Sequence, residues 1–258
     1  MTNASPSAST PAHTLLFQSV TPVFLPGGDV PGDSSVIRDP AASSLQLMPT
    51  GRTLPSGNLT VGLAAPYLPY AAYCPVKGIQ LSAGGIYIFN NPILKQEAYY
   101  SYFIVKDALF EVEGMSIAVG GAVMFWGQKE PLPAPPHWRH AVIPGVFGVT
   151  TIGTADEAVT LGVGFANTPG GFEIGLDAGI LGGIGFGYEW KASRTWRLMT
   201  EHLIDIGTGN TLHTFGARLF GTRGAFDFGL VILPHGPTKL RVFPVIGVSV
   251  RIGPDEAP

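Results

Sequence analysis

Residues 171–190 read GFEIGLDAGILGGIGFGYEW, and the parity of this run decides the fold. The even positions, Phe172, Ile174, Leu176, Ala178, Ile180, Gly182, Ile184, Phe186, Tyr188 and Trp190, carry no charge. The odd positions are almost all glycines and acids, with Glu173, Asp177 and Glu189 among them. A period of two puts these sets on opposite faces of one extended strand. A helix would scatter both around its surface.

The pattern continues on both sides of this run. After Lys191-Ala192-Ser193-Arg194, the residues Trp196, Leu198, His202, Ile204 and Ile206 oppose Arg197, Met199, Glu201 and Asp205. Past Gly207-Thr208-Gly209-Asn210, the set His213, Phe215, Ala217 and Leu219 opposes Leu212, Thr214, Gly216 and Arg218. Past Gly221-Thr222-Arg223-Gly224, the set Phe226, Phe228, Leu230 and Ile232 opposes Asp227, Gly229 and Val231. Similar alternation recurs upstream from Ile79 and downstream to Ile252. This predicts about eleven antiparallel strands, and about twelve if Ser44 to Met48 joins them. Tight polar turns, such as those at Glu113-Gly114 and 154–157, alternate with longer links at 90–96, 127–139, 167–171 and 233–239.

The face opposite the apolar one separates two architectures. A soluble sandwich turns its apolar face to a core and a charged face to water. An outer-membrane barrel turns its apolar face to lipid and keeps small or polar residues inside. Here the opposite face is rich in glycine, and only 13% of the 258 residues are charged, against roughly 25% in ordinary soluble domains. Mean hydropathy is +0.28, yet no apolar run has the roughly 18 residues that a membrane helix needs. The expectation is an all-β fold: one antiparallel, up-and-down transmembrane barrel of about twelve strands spanning residues 44–252. An irregular Pro/Ser/Gly-rich arm, residues 1–43, precedes it, and residues 253–258 form a tail. The arm is read as a plug, a partner-binding segment or a loose extension. Met1 to His13 has neither the basic start nor the apolar stretch of a secretory signal.

Eight charged residues share the inward parity: Glu189, Arg197, Glu201, Asp205, Arg218, Asp227, Arg241 and Arg251. They are candidates to line the lumen, either paired across strands as an internal network or exposed along a polar pore. Inward glycines, such as Gly162, Gly185, Gly187, Gly216 and Gly229, leave room for water or for another segment, the N-terminal arm included. Aromatic residues near strand ends fit two interfacial girdles: Tyr188, Trp190, Trp196 and Phe220 by the short turns, and Phe125, Trp126 and Phe165 by the longer links.

Other chemistries are poorly supported. Cys74 is the lone cysteine, so no disulfide forms within the chain. P-loop, His-Glu-x-x-His, Gly-x-Ser-x-Gly and paired-cysteine patterns are absent, and no catalytic residue, metal or cofactor is assigned. His137 and His140 are too few to ligate a metal, and His202 falls on the apolar face with no evident serine partner. A net charge of −3 without a basic run argues against nucleic acid.

Several pieces carry a resemblance to a known class: Pro49-Thr50-Gly51-Arg52-Thr53-Leu54, Tyr70-Ala71-Ala72-Tyr73, Gly153-Thr154 with the run Ala158 to Gly164, and the strand from Trp196 to Ile206. Together, over residues 45–252, they resemble uncharacterised, porin-like outer-membrane β-barrel proteins of bacteria. The resemblance implies an envelope location, a lipid bilayer as partner and small solutes or ions passing through the lumen. It brings no catalytic residues. The chain departs from that class at its end, where Ile252 is followed by Gly253 to Pro258 in place of a terminal aromatic residue. The competing expectation is a soluble or secreted all-β assembly subunit that buries its apolar faces against itself or its copies.

Overall fold

The computed structural model describes residues 39–64, 68–88, 97–129, 138–168, 179–235 and 239–253. The wall consists of β1 (Leu59–Ala64), β2 (Leu68–Val76), β3 (Ile79–Ile88), β4 (Ala98–Val112), β5 (Met115–Lys129), β6 (Trp138–Gly153), β7 (Glu157–Thr168), β8 (Gly179–Lys191), β9 (Trp196–Asp205), β10 (Thr211–Phe220), β11 (Gly224–His235) and β12 (Lys239–Ile252). Each strand pairs antiparallel with its neighbour in sequence. β1 closes on β12 through the register Leu59↔Ile252, so the sheet is a closed barrel. Closure pairs the backbone polar groups within the wall, the condition for a sheet to stand in lipid.

The connections sort by rim. Links 77–78, 113–114, 154–156, 192–195 and 221–223 form one rim. The strand ends Ala64 and Leu68, Ile88 and Ala98, Lys129 and Trp138, Thr168 and Gly179, and His235 and Lys239 stand at the other, with the link 206–210. The two-residue turns need left-handed backbone at their second position, supplied by Gly78 (φ 89°) and Gly114 (φ 79°). Pro144 is tolerated in β6 because β6 pairs with β7 only from Gly145 onward.

The alternation read from the sequence is the inside–outside alternation of the wall. Ile184 is 50% exposed, and Phe186, Leu198 and Phe228 are also open on the outer face. Ile232 shares their face and is half-buried. On the other face Glu189, Arg197, Glu201 and Arg218 are buried.

Two boundaries differ from expectation. Ser44–Met48 is not a wall strand; among the described residues its ladder contact is an isolated bridge, Ser44↔Pro49. The twelfth strand instead comes from the 59–76 stretch. That stretch breaks at 65–67, so β1 and β2 pair with each other through Leu63↔Pro69. The wall therefore starts at Leu59, and residues 44–58 lie inside it. Residues 1–38 and 254–258, with His137 and the 171–178 half of the opening run, fall outside the described residues.

Candidate functional site: a plugged lumen

Residues 39–58 lack the alternation of the wall and fold against its inner face. The segment passes Ala41, turns back at Gln46 and Leu47, and leaves through Leu54 to Asn58. The Leu45 N–H donates to the Met48 carbonyl at 2.9 Å and closes the turn. Ala41, Leu45, Met48, Thr50, Leu54 and Asn58 are buried.

Glycine makes the space. A Cβ on Gly187 would collide with Leu45, one on Gly185 with the Met48 sulfur, and one on Gly216 or Gly229 with the Gln46 amide. The inward glycines of β8, β10 and β11 are thus the bed of the plug. Leu45 and Met48 pack with inward-facing Met199 and Leu203 in a small apolar cluster.

A ring of polar side chains fastens the segment. Glu201, 0% exposed, accepts the Met48 N–H at 2.8 Å, the Leu47 N–H at 3.1 Å and the Thr214 hydroxyl at 2.8 Å. Arg218, 1% exposed, holds Asp227 in a two-pronged bond (Nε–Oδ1 2.6 Å, Nη2–Oδ2 3.1 Å). The same guanidinium donates to Asp39 and to the carbonyl oxygens of Ala41, Ser44 and Leu45. Arg197 pairs with Glu189 at 2.6 Å and with Asp39 at 3.2 Å. Arg52, from the plug, also bonds Glu189. The Lys106 amine donates to the carbonyl oxygens of Ser43, Thr50 and Arg52 at 3.1, 3.3 and 2.6 Å. Gly51 N–H donates to the Thr151 hydroxyl and Leu54 N–H to the Gln80 amide oxygen. Burial alone would raise the Asp39 carboxyl; Arg218 and Arg197 outweigh it and hold the group below its ordinary range.

Of the eight inward charges expected, five meet here: Glu189, Arg197, Glu201, Arg218 and Asp227. The other three stand apart. Asp205 caps its own turn, accepting from the Gly207 N–H and the Thr208 hydroxyl. Arg251 donates to the Thr222 carbonyl beside the short-turn rim, and Arg241 is exposed near the opposite rim. The strand reading missed Lys106 and Asp39, the first on a strand whose parity was not worked out, the second in an aperiodic arm.

The aromatic candidates divide as well. Trp190, Trp196, Phe125 and Phe165 are exposed on the outer face near strand ends, and Tyr188 is half-buried there with its hydroxyl bonded to Glu157 at 2.8 Å. Phe220 is a correction. It is 2% exposed and faces inward, packed on Ala41 and Ala225 with the Arg197 guanidinium over its ring. Its even number gives it the parity of Arg218, and the plug supplies apolar cover. Trp126 likewise faces inward, edge-on to Tyr100. His202 faces outward and shares a 2.7 Å bond with His213.

A closed twelve-stranded antiparallel wall, apolar outside and charged within, defines the fold of a porin-like outer-membrane barrel. Solved structures with this fold include a KdgM porin in complex with disordered oligogalacturonate, at 8% identity and TM-score 0.50, covering 76% of this chain and 98% of that one. A second KdgM porin structure matches at 10% identity and TM-score 0.49, over the same shares. No protein-family model and no curated protein sequence matches the chain.

Proposed function

We propose that this protein is an integral barrel of the bacterial outer membrane, a porin-like channel for small solutes whose lumen is blocked on the short-turn side by residues 39–58. The observation that carries the reading is the plug itself. Five inward charges that would line an open pore are engaged with one another or with the plug backbone. They therefore act as a fastening, and ion passage through that half requires the plug to leave. The outward band of Ile184, Phe186, Leu198 and Phe228 supports the bilayer as partner, since such a band exposed to water costs about 25 cal/mol per Å².

Planar-bilayer recording tests this. The full chain should give little or no conductance, and a chain lacking residues 1–54 should give stable open steps. Equal conductance from both would refute the plug as the barrier. Recovery of the protein in the soluble fraction, without need for detergent, would refute the membrane location and restore the soluble-subunit alternative.

A further inference from the structure

We propose that the half of the lumen between the plug and the rim of longer links is a binding site for an uncharged aromatic small molecule. The fastening ring lies on the short-turn side of the barrel. Moving from it toward the other rim, the inward positions change character. On β4 they pass from Lys106 to Ile104, Tyr102 and Tyr100. On β9 they pass from Glu201 to Leu203, and on β12 from Gly247 to Val245 and Phe243. Phe243 is 39% exposed. Leu47, at the tip of the plug, is 43% exposed and forms an apolar floor. Among the side chains described, the inward charges on this half are Arg139, Asp205 and Arg241, and all three stand in or beside the rim.

The rings on one side are set in a repeated way. Tyr70 lies over Gly62, Tyr102 over Gly84 and Phe147 over Gly120, so that a Cβ on any of these glycines would strike the ring. A ring laid against a neighbouring strand's glycine turns a face to the lumen. Tyr100 continues this surface, 6.0 Å from Tyr102 and 6.2 Å edge-on from Trp126 between ring centroids. The Trp126 Nε1–H is buried and finds no acceptor among the described residues. Flat aromatic faces favour a planar ring at offset or edge-on geometry. The unpaired indole N–H favours an acceptor oxygen on it. Between the fastening ring, which Tyr70 borders, and the charges at the rim, the described wall is uncharged, which disfavours an anion or a cation there. The site depends on the plugged-barrel reading for its floor alone.

The test uses a protein in nanodiscs with Trp138, Trp190 and Trp196 changed to Phe, which leaves Trp126 as the sole indole. 4-Bromobenzyl alcohol, a heavy-atom quencher, should quench Trp126 saturably, without competition from benzoate or glucose. Tyr102→Asp should weaken this binding by at least roughly tenfold. Leu47→Arg, a change at an exposed plug position, should do the same and serves if Tyr102→Asp does not fold. Quenching that rises linearly and equally in all three proteins, or competition by benzoate or glucose, would overturn the proposal. Saturable binding with no plug-dependent conductance would sink the channel reading and leave this one standing. The reverse result would sink only the site.

Discussion

Arg218→Ala is the sharpest test of what the inward charges do. The wild-type guanidinium has two carboxylates and three carbonyl oxygens as partners, all within 3.3 Å. Among the described residues, truncation leaves Asp39, whose side chain is fully enclosed, with Arg197 and the Ala41 N–H. Asp227 retains partial exposure and loses its partner. Breaking a buried pair from one side typically costs about 3–5 kcal/mol, because the surviving charge stays desolvated. Urea unfolding of the barrel in lipid should therefore show a loss in that range. The cost should shrink in an Asp39→Asn background, where one stranded charge is gone, giving a coupling of roughly 1–3 kcal/mol in the double-mutant cycle. A loss below about 1 kcal/mol, or strict additivity with Asp39→Asn, would refute the argument that this arginine fastens the plug.

Three further outcomes are expected. Gly187→Leu places a side chain where Leu45 sits, so the plug should be displaced at a cost of about 1–3 kcal/mol, and bilayer recordings should show conductance absent from the wild type. Asp39 has a folded value below its ordinary 3.8, so its stabilisation should be complete above that pH and fall away as acid protonates the folded form. The stability difference between wild type and Asp39→Asn, followed from neutral to strongly acidic pH, should shrink only in the acid limb. Ile184→Arg, on the outer face, should cost about 2–4 kcal/mol if that position lies at the bilayer midplane. The same change would be nearly silent in a barrel that stood in water, so unfolding in lipid decides it.

The wall was legible because a two-residue period in glycine-rich strands states both secondary structure and sidedness. Arg197, Glu201, Arg218 and Asp227 could be placed inside by number alone. Phe220 was equally legible by parity, but was assigned to a girdle from its closeness to a strand end. The plug was harder. Residues 39–58 have no period, and their fold is imposed by the wall rather than by local preference. What the sequence carried was the complement: inward glycines at 185, 187, 216 and 229 marked a volume that something had to fill. The count of twelve strands was reached with the wrong member, since Ser44–Met48 stood in for the break at 65–67. Pro66 and Pro69 fit one edge or bulged strand over Leu59 to Tyr70, whereas the stretch forms two strands, β1 and β2.

Both ends of the plug stand at the same rim. Ala41 packs on Phe220 and Ala225, beside the 221–223 turn, while Gly57 and Asn58 bond Cys74 next to the 77–78 turn. The segment enters and returns like a tongue and never passes through to the far opening. Within residues 39–58 nothing crosses the wall, and that length can be drawn out without parting any seam between staves. Tension applied at Asp39 toward the short turns would load Arg218 and Arg197 first and Lys106 after them, and spare the hoop of backbone bonds.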